Sequence, residues 1–224
     1  MTQEITSLSE VLSIDKKAVI RNNAFSLLME QGYAKSSYAD IAKRSGCKRS
    51  LVQYYYPKKN QILLEFVERL IQCSYDFMAL RHAESGSCFL DFFTTGQIHF
   101  YVLLKNEALL PLTRDIVANR ETSNAIISLM ADWQRKHPGA EKIDQDRILP
   151  SIAFSMGGAY ECIYLNLSQQ QEIDIPQLLS HTIRSYIVEL GIDPSAFDGD
   201  KEKFELDKAF LAEANKYVIE NLTK

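Results

Sequence analysis

Hydrophobic residues recur at helical spacing along most of the chain, and this pattern predicts a series of amphipathic helices. Ile20, Ala24, Leu27 and Leu28 mark an early helix, which the pair Gly32-Tyr33 closes. A longer helix is expected directly after Pro57, where the apolar positions are Ile62, Leu63, Phe66, Val67 and Leu70. No segment alternates apolar and polar residues in the way that a strand does. The predicted fold class is therefore all-α.

The breaks between the periodic runs set the expected helix bounds. Residues 1–13 are expected to be a loose tail or a short extra turn, with Ser13 or Asp15 capping the first helix. Glu84-Ser85-Gly86-Ser87 and residues 193–200 are expected to be turns, with short helical pieces at 106–118. The other predicted helices span residues 15–31, 47–54, 58–81, 88–104, 120–136, 144–168, 176–190 and 202–222.

Residues 36–60 carry the pattern of a helix, a tight turn and a second short helix. Ser37 followed by Asp40 three positions later is the signature of a capping box. Gly46 stands where a left-handed helix cap favours glycine, and Pro57 ends the second helix. Such a unit, with a polar and basic second helix, is typical of a helix-turn-helix.

The charge of the chain is unevenly distributed. The net charge is −4, yet residues 14–60 hold ten Lys and Arg against three Asp and Glu, a net of +7, which leaves −11 for the remainder. This asymmetry indicates a polyanion-binding segment on an acidic body that DNA would repel. It therefore supports a nucleic-acid partner despite the overall acidity.

Residues 17–64 resemble the N-terminal domain of the TetR/AcrR family of transcriptional regulators. The features that carry the resemblance are Gly32-Tyr33, Ser36-Ser37, Ile41-Ala42, Ser45-Gly46, Tyr54-Tyr55-Tyr56-Pro57, Lys59 and Ile62-Leu63. Three positions depart from the family, because Lys48 replaces a small hydroxylated capping residue, Leu51 a Thr and Gln53 a Tyr. The resemblance implies a DNA-binding head at 1–57 and a helical ligand-sensing and dimerisation domain at 58–224, linked through the tilt of the fourth helix.

DNA contacts are expected from the second helix of the motif and its flanks. Gln53 could bond adenine, Lys48 or Arg49 guanine, and Leu51 a thymine methyl group. The family analogy assigns phosphate contacts to neighbouring side chains. The full predicted set is Ser36, Ser37, Lys48, Arg49, Ser50, Leu51, Gln53, Tyr54, Tyr55 and Lys59.

The C-terminal helices are expected to pair two copies of the chain. Small residues near the centre of 144–168 would let another helix approach closely, and 176–190 has an apolar face; family members usually dimerise through the last two body helices. The predicted interface residues are Ser151, Ser155, Gly158, Ala159, Leu179, Ile183 and Ile187. The helix at 202–222 lies beyond the usual family core, and the sequence leaves open whether it extends this interface or folds over the body.

The resemblance also implies an inducer pocket in the body, and the abundant aromatic and sulfur-bearing side chains favour an apolar or planar ligand. Each of these residues could equally be plain core. The predicted lining is Phe77, Phe92, Phe93, His99, Phe100, Met130, Trp133, Phe154 and Tyr160.

The remaining motifs give no sign of catalysis, a cofactor or a metal. Four dispersed cysteines without a CxxC pair and four dispersed histidines suggest neither a disulfide frame nor a zinc site. The N-terminus lacks a signal peptide and no apolar run approaches a membrane span, so a cytoplasmic protein without a membrane partner is expected. The prediction is a non-enzymatic repressor that binds operator DNA as a homodimer and responds to a small molecule. The alternatives are a helical scaffolding protein and a regulator triggered by a protein partner.

Overall fold

The computed structural model describes residues 2–81, 88–137, 139–193 and 207–224. In these ranges the chain forms α-helices joined by short turns, and no residue in them is in a strand. The helices are α1 (Thr2–Lys35), α2 (Tyr38–Arg44), α3 (Arg49–Tyr55), α4 (Asn60–Leu80), α5 (Cys88–Lys105), α6 (Leu110–Ala118), α7 (Arg120–Lys136), α8 (Gln145–Ser168), α9 (Ile175–Glu189) and α10 (Lys208–Asn221). The predicted all-α class is confirmed.

The first helix begins much earlier than predicted. It starts at Thr2, so residues 2–13 are helical rather than a loose tail, and neither Ser13 nor Asp15 caps it. The physical reason is that residues 2–31 contain no glycine or proline, so nothing interrupts the helix before Gly32. At Gly32 the backbone adopts φ 81° and ψ 172°, and this kink separates the last short turn of α1 from the rest.

The interior helices match their predicted ranges closely, and local capping explains why. Asn119 accepts from the backbone of Thr122 at the start of α7, and Asp174 accepts from Gln177 at the start of α9. Pro111 lies in the first turn of α6, where its missing N–H costs nothing. The expected turns at 84–87 and 194–200, and Pro138, lie outside the described residues.

The fourth helix packs against both the head and the body. Its first half packs on α1, where the rings of Phe25 and Phe66 meet edge to face at 5.2 Å, and its second half is buried against α5 and α10. One cluster of buried side chains continues from Ile20 in α1 to Leu222 at the C-terminus. A movement of α4 would therefore displace side chains of the head and of the body together.

The last helix folds over the body. It begins at Lys208, since Asp207 leaves the helical backbone region and its side chain accepts from Ala209 N–H. The expected start near residue 202 lies outside the described residues. Phe77 of α4 packs against Phe210 and Tyr217, with ring centroids 5.1 and 5.5 Å apart.

Polar contacts at two points tie α10 to α4 and to Arg81, which directly follows α4. Arg81 pairs with Glu213 at 2.8 Å, and Arg69 donates to the carbonyl of Asn221 at 3.2 Å. The sequence left the position of this helix open, and these contacts place it on α4 and α5.

Helix α8 is more apolar than the sequence analysis allowed. Within α8, an 18-residue window reaches a mean hydropathy of 1.2, which meets the length and composition of a membrane span, and 44% of that window is buried. The expectation that no run comes close to a span is therefore wrong for α8. Its buried face packs against α7 and α9.

Candidate nucleic-acid interface

The helix-turn-helix is built by local hydrogen bonds that the sequence encodes. Ser37 N–H donates to Asp40 Oδ2 at 3.0 Å, and Asp40 N–H donates back to Ser37 Oγ at 3.2 Å. The Ser37 hydroxyl also donates to Asp40, and this bond holds the pKa of Asp40 below its usual range. Gly46 has φ +62°, so the glycine supplies the left-handed turn between α2 and α3. The predicted capping box and glycine turn are confirmed.

Helix α3 buries one side and exposes the other. Val52 is fully buried, and Leu51 is half-buried against the same core. The exposed side chains of this element are Lys48, Arg49, Ser50, Gln53 and Tyr54, of which Tyr54 is 75% exposed. Lys48 occupies the N-cap position without a side-chain hydrogen bond to the helix. Its ammonium group is thus not used in capping, in contrast to the small hydroxylated residue usual in the family.

A buried tyrosine fixes the end of the recognition helix. Tyr56 is 2% exposed and donates its hydroxyl to Glu65 Oε2 on α4 at 2.7 Å, while Tyr38 donates to the Tyr56 carbonyl at 2.7 Å. Burial, followed by the bond to Glu65, raises the pKa of Tyr56. The aromatic residue before Pro57 is therefore part of the core, and it sets the orientation of α3 relative to α4.

Two predicted contact residues have partners inside the head. The Ser36 side chain is fully buried and donates to Gly32 O at 2.7 Å, so the predicted phosphate contact by this hydroxyl is wrong. Lys59 Nζ donates to Tyr33 O at 2.6 Å and lies 4.1 Å from the centre of the Tyr33 ring. Burial lowers the pKa of Lys59. Lys59 thus anchors α4 to the end of α1, and its contact with phosphate stays a prediction.

The remaining charges leave the exposed side of the head basic. Glu30, one of the few acids of this segment, receives a two-pronged hydrogen bond from Arg44 at 2.5 and 2.6 Å, which lowers the pKa of Glu30. Beside α3, an open groove of about 600 Å³ is lined by Lys16, Cys47, Lys48 and Tyr54, among others. In the sequence analysis Lys16 counted only toward the net charge, because no local sequence pattern indicates that α1 passes beside the recognition helix.

Comparison with known proteins identifies the head. The family model for bacterial regulatory proteins of the TetR family matches residues 20–66. These residues form a TetR-family helix-turn-helix domain. The described fold is similar to the crystal structure of full-length native TylP, a TetR regulator from Streptomyces fradiae, with a TM-score of 0.52 and 18% sequence identity, covering 94% of this chain and 99% of that chain. No curated protein matches the chain.

The TetR-family domain at residues 20–66 supports a DNA-binding transcriptional regulator. At 18% identity, the likeness to TylP establishes the fold of the body and nothing about its ligand. Among the described residues, no group of three or more His, Cys, Asp or Glu side chains could hold a metal ion.

The TetR-type head meets the body at a junction that sequence reasoning missed. Gly32 packs directly on α6, since a Cβ atom added there would lie 3.1 Å from Asp115 Oδ2 and 3.2 Å from Pro111 Cβ. Asp115 also accepts from Ala34 N–H at 2.8 Å. A second contact joins α4 to α7, where Asn60 donates to Glu121 at 3.2 Å. The head is therefore held by α6 and α7 as well as by α4.

The predicted dimer residues lie mostly on the inner side of their helices. Ser151, Ser155, Ala159, Leu179 and Ile187 are each 6% exposed or less, so the assignment of these five to an outer interface is wrong. The reason is that the small side chains at 151, 155 and 159 let α9 of the same chain pack closely on α8. Ile183 is half-buried and Gly158 is exposed.

The outer side of α8 exposes apolar side chains together with Glu161, and α9 adds one exposed apolar residue among polar ones. Phe154 is 63% exposed, Leu165 is 45% exposed and Val188 on α9 is 52% exposed. A Cβ atom at Gly157 or Gly158 would meet nothing within 4 Å. Phe154, Gly158 and Leu165 recur at i, i+4 and i+11, which puts them in one stripe along the helix.

The predicted pocket residues divide into four groups. Phe93, His99, Phe100, Met130 and Tyr160 are buried in the body. Phe77 packs on α10 and Trp133 stacks on Tyr75 at 5.2 Å, so both have aromatic partners within the chain. Phe154 lies on the outer surface, so its assignment to an internal pocket is wrong. Phe92 is half-buried, with its ring 5.5 Å from that of Tyr186.

Proposed function

We propose that this chain is a cytoplasmic, ligand-responsive repressor that binds pseudo-palindromic operator DNA as a homodimer and is released by a small molecule bound in its body. The observation that carries the proposal is the exposed polar and basic side of α3 within residues 14–60, a segment of net charge +7 in a chain whose other residues carry −11. Residues 1–57 would serve as the DNA-binding head and residues 58–224 as the sensing and dimerisation domain. This charge distribution orients the head towards DNA and keeps the body away from it.

Base reading would come from the exposed residues of α3. Arg49 or Lys48 can donate to guanine, and Gln53 can bond adenine with both amide atoms. Ser50 and Tyr54 are also exposed and would contact base edges or phosphates. Leu51, half-buried, would offer only its outer atoms to a thymine methyl group.

The flanks of α3 would set the register on the phosphate backbone. Ser37 and Tyr55 are proposed as phosphate contacts, together with Lys59 and with Lys16 across the groove. These contacts would carry affinity and salt dependence rather than sequence preference.

The exposed stripe on α8 and α9 supports a two-fold dimer. Phe154, Leu165 and Val188 present apolar surface to solvent, and the open backbone at Gly157 and Gly158 would let a second α8 approach closely. In an isologous interface the same stripe meets itself. Two heads related by this axis would read half-sites spaced about one helical turn or more apart.

Release would follow from movement of the body elements that hold the head. A ligand that shifts α6 or α7 would act on α1 through Asp115 and on α4 through Glu121. The two heads would then no longer match the spacing of the half-sites. Such coupling is reciprocal, so saturating operator must weaken ligand binding by the same factor. Calorimetry that finds equal ligand affinity with and without operator would exclude this mechanism.

Selection from random duplex DNA, followed by fluorescence anisotropy over a salt series, tests the proposal. The wild-type protein should enrich a pseudo-palindrome, and Arg49→Ala and Gln53→Ala should each weaken binding by about 1–3 kcal/mol at one base position of each half-site. Lys142→Ala is the matched control, since it removes one positive charge from an exposed position of the body. It should leave affinity and sequence preference unchanged.

The outcomes separate the candidate functions. Enrichment of no sequence, with only weak and salt-labile binding, would favour a helical scaffolding protein. Enrichment of an operator, with no release by any small molecule but release by a protein fraction, would favour a regulator triggered by a partner.

A further inference from the structure

The face of α5 that carries Phe92, Gly96 and His99 combines open space with an unsatisfied polar atom. These residues follow one another at i, i+4 and i+7, so they lie on one side of the helix. Gly96 is half-buried, and a Cβ atom placed there would meet no other atom within 4 Å. A side chain could therefore be accommodated where the sequence has none.

His99 follows Gly96 by three residues, so it lies one turn further along the same side of α5. The residue is 4% exposed, and its Nδ1 atom is buried without a hydrogen-bond partner among the described residues. Buried polar atoms in folded proteins almost always have a partner, because leaving one unpaired costs about 1–3 kcal/mol. A molecule in the space over Gly96 that bonds to Nδ1 would recover this cost on binding.

The electrostatics of the site restrict what could bind. Burial lowers the pKa of His99 to about 4, and no charged side chain among the described residues contributes to the shift. The imidazole is neutral at physiological pH and can either donate or accept at Nδ1. An ionic ligand would lose its hydration without gaining a counter-charge from His99.

The rest of the face is aromatic. The Phe92 ring lies 5.5 Å from Tyr186 of α9, and the Phe100 ring lies 5.8 Å from His99 in an edge-to-face arrangement. This environment suits a flat apolar molecule.

We propose that the effector binds on this face of α5, between Phe92 and His99 and over Gly96, and that it is an uncharged, largely apolar molecule whose hydroxyl group hydrogen-bonds to Nδ1 of His99. A hydroxyl fits either tautomer of the ring, because it can donate or accept. This inference rests on the proposed function, which requires a small molecule in the body, and it specifies the chemistry of that molecule and the residues that select it.

Three probes of one shape test the chemistry: 2-naphthol, naphthalene and 2-naphthoate. In titrations with the full-length protein, 2-naphthol should bind about tenfold tighter than naphthalene, which corresponds to one buried hydrogen bond. The anion 2-naphthoate should bind more weakly than 2-naphthol. In ¹⁵N spectra of the histidine rings, 2-naphthol but not naphthalene should shift the His99 resonances, which are assigned by their absence from His99→Phe.

Two variants with matched controls locate the site. His99→Phe should reduce the affinity for 2-naphthol to that for naphthalene, while naphthalene binding stays within about twofold, since that probe makes no hydrogen bond. Gly96→Leu should weaken both probes more than tenfold by filling the space, whereas Gly96→Ala, which removes the same glycine, should retain most of the affinity. Thermal melts establish that each variant is folded.

Equal affinity of the wild-type protein for 2-naphthol and naphthalene, or binding that neither variant affects, would overturn the inference while leaving the proposed function intact. No binding of any probe would overturn it as well. A different result, the failure of the protein to enrich an operator, would refute the proposed function.

Discussion

Gly32→Ala provides a sharp test of the junction between head and body. The wild-type backbone at this position has φ 81° and ψ 172°, a region that only glycine occupies readily, and forcing another residue into it costs about 1–3 kcal/mol. The added methyl group would also lie 3.1 Å from Asp115 and 3.2 Å from Pro111. The lower entropy of the unfolded alanine chain offsets about 0.4–1 kcal/mol of this cost.

The expected net loss is about 2 kcal/mol in the free energy of unfolding, which is about 4–8 °C in Tm for a chain of this size. Equilibrium urea unfolding measures it. Gly46→Ala is the matched control, because that glycine also has positive φ, +62°, but no atom lies within 4 Å of an added Cβ. Asp115→Ala itself loses the hydrogen bond from Ala34, but within that background Gly32→Ala should cost less than it does in the wild type, because part of the crowding is gone.

The reasoning would be refuted if Gly32→Ala were as stable as wild type, or no less stable than Gly46→Ala. If Gly32→Ala costs the same in the Asp115→Ala background, the effect comes from backbone strain and contact with Pro111, and none of it from Asp115. Operator affinity should fall with Gly32→Ala more than with Gly46→Ala if the junction positions the head.

Three further predictions concern the body. Phe154→Glu places a charge on the exposed apolar stripe and should convert a dimer to a monomer in light scattering at micromolar concentration; a persistent dimer would exclude this face. Because the folded-state pKa of His99 is about 4 and its ordinary value is 6.5, the unfolded state binds more protons between these values. Stability should therefore decline as pH falls from about 6.5 to about 4, by on the order of 3 kcal/mol, and urea titrations of His99→Phe should lack this component. Phe210→Ala should lower the free energy of unfolding by about 2 kcal/mol through loss of the Phe77 contact, whereas Glu213→Gln, in an exposed ion pair, should change it by less than about 1 kcal/mol; equal effects would contradict the assigned packing of α10.

The helix-turn-helix could be predicted because its signals are local. A capping box needs only Ser37 and Asp40 three residues apart, and the turn needs only a glycine at position 46. Pro57 marks the end of α3 for the same reason, since its effect is confined to its neighbours. The helix bounds from residue 88 to residue 189 were predicted on similar grounds.

Local signals could not predict which side of a helix is buried or which helix packs against it. Ser36 and Ser37 are adjacent and chemically identical, yet one is buried against Gly32 and the other caps α2 in the solvent. The small residues of α8 indicated close helix packing correctly, but their periodicity does not say whether the partner is α9 of the same chain or a second copy. In the structure they face α9, and the exposed stripe begins at Phe154.

The amino-acid sequence by itself determined the all-α class, the TetR-type head, the charge asymmetry and most helix ends, since each depends on residues within a few positions of one another. Only the tertiary structure decided that Asp115 holds the kink at Gly32, that α10 packs on α4, and that His99 is buried with an unpaired nitrogen. These features join residues tens of positions apart or depend on the environment that packing creates. Burial and long-range contact follow from how complete helices fit together, and no local pattern encodes that fit.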